Sequence, residues 1–163
     1  MAAQADVDVI VEDDRWTQLD LSDLAGTACH AALTEAGLEG EYSISVLATD
    51  DARIAALNAD FRAKDAPTNV LSWPAEPLAP PRPGATPPTP QDPEIGDIAL
   101  AFETCVREAE DYGIDLHHHV THLVLHGCLH LLGYDHVNDA DATVMESLEI
   151  AALAKLGIKN PYY

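Results

Sequence analysis

Basic residues are scarce in this chain: eight lysines and arginines stand against twenty-eight aspartates and glutamates in 163 residues, a formal net charge of −20. A surface so dominated by one sign rules out capture of a polyanion by bulk attraction. One small basic island survives, with Arg62 and Lys64 opposed only by Asp65 between positions 61 and 72. Cysteine is also sparse. Cys29, Cys105 and Cys128 are odd in number and widely spaced, with no C-x-x-C pair, and read as reduced, buried thiols rather than a disulfide framework. No apolar run approaches the ~18–20 residues needed to span a bilayer, so no membrane partner is expected. Residues 1–12 are acidic and alternating, without the basic and apolar regions of a signal peptide, which predicts a cytoplasmic protein.

What is present is a globular composition, 47% hydrophobic, in a length that suits one domain over 1–163. Alternation predicts strands over 6–12 and 42–47, with shorter strands over 70–73 and 95–101. Apolar spacing of three and four, with Asp or Ser caps and glycine stops, predicts helices over 21–36, 50–61, 103–112 and 140–156. Asp115 caps a further helix rich in histidine. Residues 74–93 hold nine prolines around Gly84 and form no regular structure, since proline lacks the donor for a helix or ladder. They read as a polyproline-like or disordered excursion inserted between two strands. The order predicts an α+β fold: a small mixed β-sheet of about four strands packed by about five helices, the histidine helix central.

Seven of the eight histidines fall between His117 and His136. His126 and His130 are one turn apart on one helical face, so both imidazoles can reach a single ion. Gly133 then permits the positive φ that ends a helix and turns the chain back, offering His136 as a third ligand. Three nitrogens at roughly 2.0–2.1 Å from a Zn²⁺ leave a fourth position open, which is a catalytic arrangement of one ion per chain rather than a structural one. Imidazole also suits nickel, copper and iron. His122, a turn earlier, lines the approach, and Met145 reads either as a residue beneath the metal or as core.

The spacing matches the H-E-x-x-H-x-x-G-x-x-H signature of metzincin peptidases with Gly127 in place of the glutamate. That glutamate is the peptidases' general base, so a peptide-hydrolysis reading is weakened at its key residue.

Read together with Leu57-Asn58-Ala59-Asp60-Phe61-Arg62-Ala63-Lys64-Asp65-Ala66-Pro67-Thr68-Asn69-Val70-Leu71-Ser72-Trp73 and Gly96-Asp97-Ile98, the histidine segment resembles the bacterial YbeY family over nearly all of 46–156. Three separated motifs occur in the family's order. The chief departure is the proline-rich stretch, typically shorter in that family. The resemblance implies a metal-dependent, single-strand-specific endoribonuclease that matures the 3′ end of small-subunit ribosomal RNA and serves ribosome quality control. It also implies His126, His130 and His136 as zinc ligands and Arg62 as a functional arginine, whose guanidinium fork suits the charge that builds on a phosphate. Asp135, beside the third ligand, is a candidate base, proton shuttle or partner of a metal-bound imidazole. Implied partners are precursor ribosomal RNA, ribosomal particles, a small-subunit ribosomal protein and the Era GTPase. The rival readings are a ribosome-assembly factor with a structural metal and a metzincin-like metallopeptidase.

The charge of −20 predicts that the isolated protein binds naked RNA weakly and depends on ribosomal particles or protein partners for placement. Titration of a labelled RNA at several salt concentrations measures this, and a tight, salt-insensitive complex would contradict it.

Overall fold

The structure, a computed structural model, describes residues 3–62 and 68–162, except the side chains of Phe61 and Arg62. Its elements run β1 (Ala3–Val11), α1 (Leu21–Glu35), β2 (Gly40–Thr49), α2 (Asp51–Arg62), β3 (Val70–Pro74), β4 (Glu94–Ala101), α3 (Phe102–Tyr112), α4 (Leu116–Leu131) and α5 (Asp139–Lys155). A 3₁₀ turn over Asp14–Gln18, which alternation does not reveal, buries Trp16. The four strands form one mixed sheet in the order β1-β2-β4-β3. β1 and β4 pair parallel to β2, whereas β3 runs antiparallel to β4 at the edge. The expected α+β class and the expected element order are both found.

Period-two burial in the strands builds two apolar layers. Ile44, Val46, Ile98 and Leu100 face the main core beneath α1 and α4. Ala99 and Ala101, the alternate residues of β4, join Leu71 of β3 and Ile54 of α2 on the opposite face. The β1 side of that second face is polar, with Asp6, Asp8, Ser43, Ser45 and Asp97 around a shallow depression. α4 is the central helix, buried along Val120, Val124, Leu125, Cys128 and Leu129 and packed against α1, β3, β4, α3 and α5.

Side chains from neighbouring elements finish the helix ends. Asp50 accepts the Arg53 N–H at 2.8 Å and starts α2. α3 has no side-chain cap of its own, and Asp51 of α2 supplies one by accepting both the N–H (3.0 Å) and the hydroxyl (2.9 Å) of Thr104. Glu103 returns the bond by accepting the Asp51 N–H at 3.0 Å. Orphan donors at two helix starts are thus satisfied reciprocally, which pins α2 to α3.

The proline-rich segment is irregular as expected, but it is not a solvated excursion. Leu78, its one leucine, is buried. Glu76 accepts the N–H groups of Gln91 and Asp92 at 3.0 and 2.9 Å, and Gly84 donates to Asp141 at the start of α5 at 2.8 Å. Burial of Leu78 and these backbone bonds fold the segment over the end of α4. Gly96 and Asp97 lie inside β4, paired with Pro74 and Trp73.

Gly96 sits at φ 142°, and a Cβ there would lie 2.3 Å from the Trp73 carbonyl oxygen and 2.8 Å from Leu131 Cδ2. Gly96→Ala is therefore expected to cost ~2 kcal/mol or more, read as a lowered midpoint in urea denaturation. Wild-type stability in that variant would show that β4 does not need this close approach.

Candidate metal centre

The centre begins with how α4 ends. Gly133 donates its N–H to the His130 carbonyl at 3.0 Å, and Tyr134 donates to the Leu129 carbonyl at 3.1 Å. This pair of bonds is the Schellman motif, which requires the residue at Gly133 to take a positive φ, here 102°. A Cβ at 133 would also lie 2.1 Å from the Leu78 carbonyl oxygen, so backbone conformation and the folded-back proline segment make the same demand. The turn carries Tyr134, Asp135 and His136 back along the helix.

His126, His130 and His136 are brought together as expected, with ligand nitrogens all within 4.8 Å of one another. Their ring centroids are 4.5 Å (126 to 130), 5.4 Å (126 to 136) and 5.1 Å (130 to 136) apart. Nδ1 of His130 donates to the Tyr134 carbonyl at 3.0 Å, and Nδ1 of His126 donates to Glu149 Oε1. With each Nδ1 carrying the proton, both Nε2 atoms present lone pairs, and they face one another at 3.0 Å. Two lone pairs repel at that distance unless a cation lies beside them. Tetrahedral zinc places its nitrogens ~3.3 Å apart, so the three residues fit such an ion. Burial, then the neighbouring His126 and, more weakly, His136, push the His130 pKa down to about 4 against the opposing pull of Asp135, leaving a neutral imidazole suited to ligation.

Asp135 accepts the backbone N–H of His136 at 2.8 Å, and its carboxylate lies 3.9 Å from His130 Nδ1. It is half exposed, at 49%. Arg62 ends α2, but its side chain lies outside the description, and Lys64, Asp65 and Pro67 lie outside the described residues. Met145 is buried in the main core. Gly127 marks a close approach of α4 to the sheet, where a Cβ would sit 3.2 Å from Ile98 Cδ1.

Sequence reasoning missed Glu149. Its side chain is wholly buried, and it accepts from His126 Nδ1, from His122 Nε2 at 3.3 Å and from the Tyr162 hydroxyl. Burial opposes its ionisation, yet the hydrogen bonds from His122, His126 and Tyr162 hold its pKa down to about 2. A signal was available. Met145, Leu148, Ala152 and Leu153 form the apolar stripe of α5, and Glu149 is the acidic residue in the middle of it. His122, read as lining the approach, serves this carboxylate, and with His126 and Glu149 it forms a second cluster of ligand atoms.

The three histidines open onto a groove of about 1140 Å³, walled by β3, by Pro74, Glu76 and Leu78, by Asn58 of α2 and by Asp135 and Val137.

A family model described as Endoribonuclease YbeY matches residues 8–157. A protein named endoribonuclease YbeY from Jannaschia sp. (strain CCS1) is 52% identical over 159 residues, covering 96% of this chain and 99% of its own length. The like-named protein of Dinoroseobacter shibae is 54% identical over 98% of this chain and 92% of its own. The solution structure of TM1509 from Thermotoga maritima shares the fold, with a TM-score of 0.56 at 20% identity, covering 93% of this chain and 92% of that one.

The bond from His126 to a buried carboxylate fixes the ring so that Nε2 faces the ligand position. Glu149→Gln is expected to weaken zinc affinity about 10–100-fold, measured by competition with a chromophoric chelator, with helical circular dichroism retained. Unchanged affinity would remove Glu149 from the centre.

Proposed function

This chain belongs to the Endoribonuclease YbeY family, and from that premise we propose that it is a zinc-dependent hydrolase that cuts single-stranded RNA. Its proposed task is maturation of the 3′ end of small-subunit ribosomal RNA, with a part in ribosome quality control, in the cytoplasm. The observation that carries the reading is the convergence of His126, His130 and His136 in the lining of a groove of about 1140 Å³. No described helix is long and apolar enough to cross a membrane.

His126, His130 and His136 would hold the ion, which when bound supplies Lewis acidity toward a phosphoryl oxygen. The chain's own residues set the geometry for that. The Tyr134 carbonyl and Glu149 fix the orientations of His130 and His126, and Asp135 holds the backbone of His136. This bond supports Asp135 as a positioning residue more than as a base. Arg62 is assigned to the non-bridging oxygens of the scissile phosphate, where charge builds as the bond breaks. Asn58 of α2 lines the groove, and Arg62 follows it by one helical turn. Gly127 leaves the peptidase chemistry without its base, and a net charge of −20 favours RNA presented within ribosomal particles over naked RNA.

The test is cleavage of precursor small-subunit RNA, naked and in particles, by metal-loaded wild type beside Arg62→Ala, His130→Ala and Asp135→Asn. Folded Arg62→Ala and His130→Ala are expected to lose roughly 10²-fold or more. Asp135→Asn is expected to bind zinc more weakly yet cleave at saturating metal. Undiminished cleavage by the first two variants would show a contaminating nuclease and leave an assembly factor as the better reading.

A further inference from the structure

A second cavity, of about 650 Å³, lies between α3, α4 and residues 158–161. We infer that it is a subsite for one unpaired nucleobase of the RNA strand, adjacent to the metal centre. The inference rests on the endoribonuclease reading and extends it from chemistry to strand recognition.

Position supports it first. Asn69 lines both this cavity and the groove over the histidines, so the two spaces meet at that residue. His122 lines the cavity too, and its ring centroid is 6.1 Å from that of His126, a distance on the scale of one extended nucleotide step. A strand crossing the metal centre can therefore drop a neighbouring base into it.

The lining explains why the occupant is a base and not a phosphate. Glu108 contributes a carboxylate, which repels phosphate but accepts from the exocyclic amines of bases. Tyr112 is 64% exposed and Ile114 44% exposed, so two of the large apolar side chains left open to solvent among the described residues stand together at this cavity. An exposed aromatic beside polar acceptors is the composition that stacks and reads splayed-out bases. Its support is rigid: Tyr112 meets buried His119 edge-on at 5.8 Å, and Glu108 Oε1 accepts from His119 Nε2 at 2.9 Å and from Asn69 Nδ2 at 3.0 Å. Lys159 adds a cation for the adjoining phosphate. A base can enter only after leaving its stack, so the cavity selects single-stranded over duplex RNA.

The test uses the full metal-loaded chain and single-stranded oligonucleotides spanning a mapped cleavage site, each carrying one abasic nucleotide near it. Tyr112 is exposed, so Tyr112→Ala keeps the fold. On the intact strand the variant is expected to lose about ten-fold in kcat/KM, mainly through KM. One abasic position is expected to cost the wild type a similar factor and the variant little more, because both changes remove the same stack. Equal abasic penalties in the two proteins, or wild-type behaviour of Tyr112→Ala, would overturn the subsite. Dissociation constants for the same strands at low salt decide the matter without cleavage. The same non-additive pattern in binding by a protein that cuts nothing would sustain the subsite and sink the nuclease reading, and additive binding losses would sink the subsite alone.

Discussion

The metal centre depends on the abrupt end of one helix. At Gly133 the chain must stop α4, reverse, and bring His136 back within reach of His126 and His130. The positive φ of 102° makes that turn, and the missing side chain admits the Leu78 carbonyl from the proline-rich segment. The same turn aims the Tyr134 carbonyl at His130 Nδ1 and lets the Asp135 carboxylate accept the His136 N–H. One helix terminus thus places His136, orients His130 and anchors the segment that walls the groove.

Electrostatics hold the other side. An unpaired carboxylate in the core costs several kcal/mol, yet Glu149 stays ionised because His122, His126 and Tyr162 all donate to it. These donors come from α4 and from the carboxy-terminal residues, while the acceptor is on α5. The bond that stabilises the buried charge is also the bond that fixes the tautomer of His126, so packing of three parts of the chain is coupled to the readiness of one imidazole. His130 reaches a neutral state differently, through burial and the company of His126 and His136.

A net charge of −20 is hard to reconcile with RNA as substrate if attraction alone brings the two together. The site resolves this by being local. Carboxylates line the polar face of the sheet around β1, and the groove sets three imidazoles beside the carboxylates of Glu76 and Asp135 and the amide of Asn58. Recognition by stacking and hydrogen bonds needs no large positive field.

Much of the fold was legible because strands and helices here obey their own periods. The alternation over 6–12 and 42–47 and the three-four spacing of Ile54 and Leu57 are local consequences of which face meets the core. The three-histidine site was legible for the same reason, since 126, 130 and 136 are joined by one turn of helix and one glycine turn. The 3₁₀ turn at 14–18 was not, because it is held by Trp16 Nε1 donating to the Thr49 carbonyl at 2.8 Å, thirty-three residues away. Glu149 drew no assignment from its local pattern, and the proline segment read as an excursion inserted between two strands. By itself, then, the sequence determined the elements, their order and the meeting of His126, His130 and His136, all set by neighbours within a few turns. Only the tertiary structure decided which carboxylate backs His126, where Leu78 docks and that the cavity and groove meet at Asn69. Those depend on contacts between residues distant in the chain, whose energies no local pattern encodes.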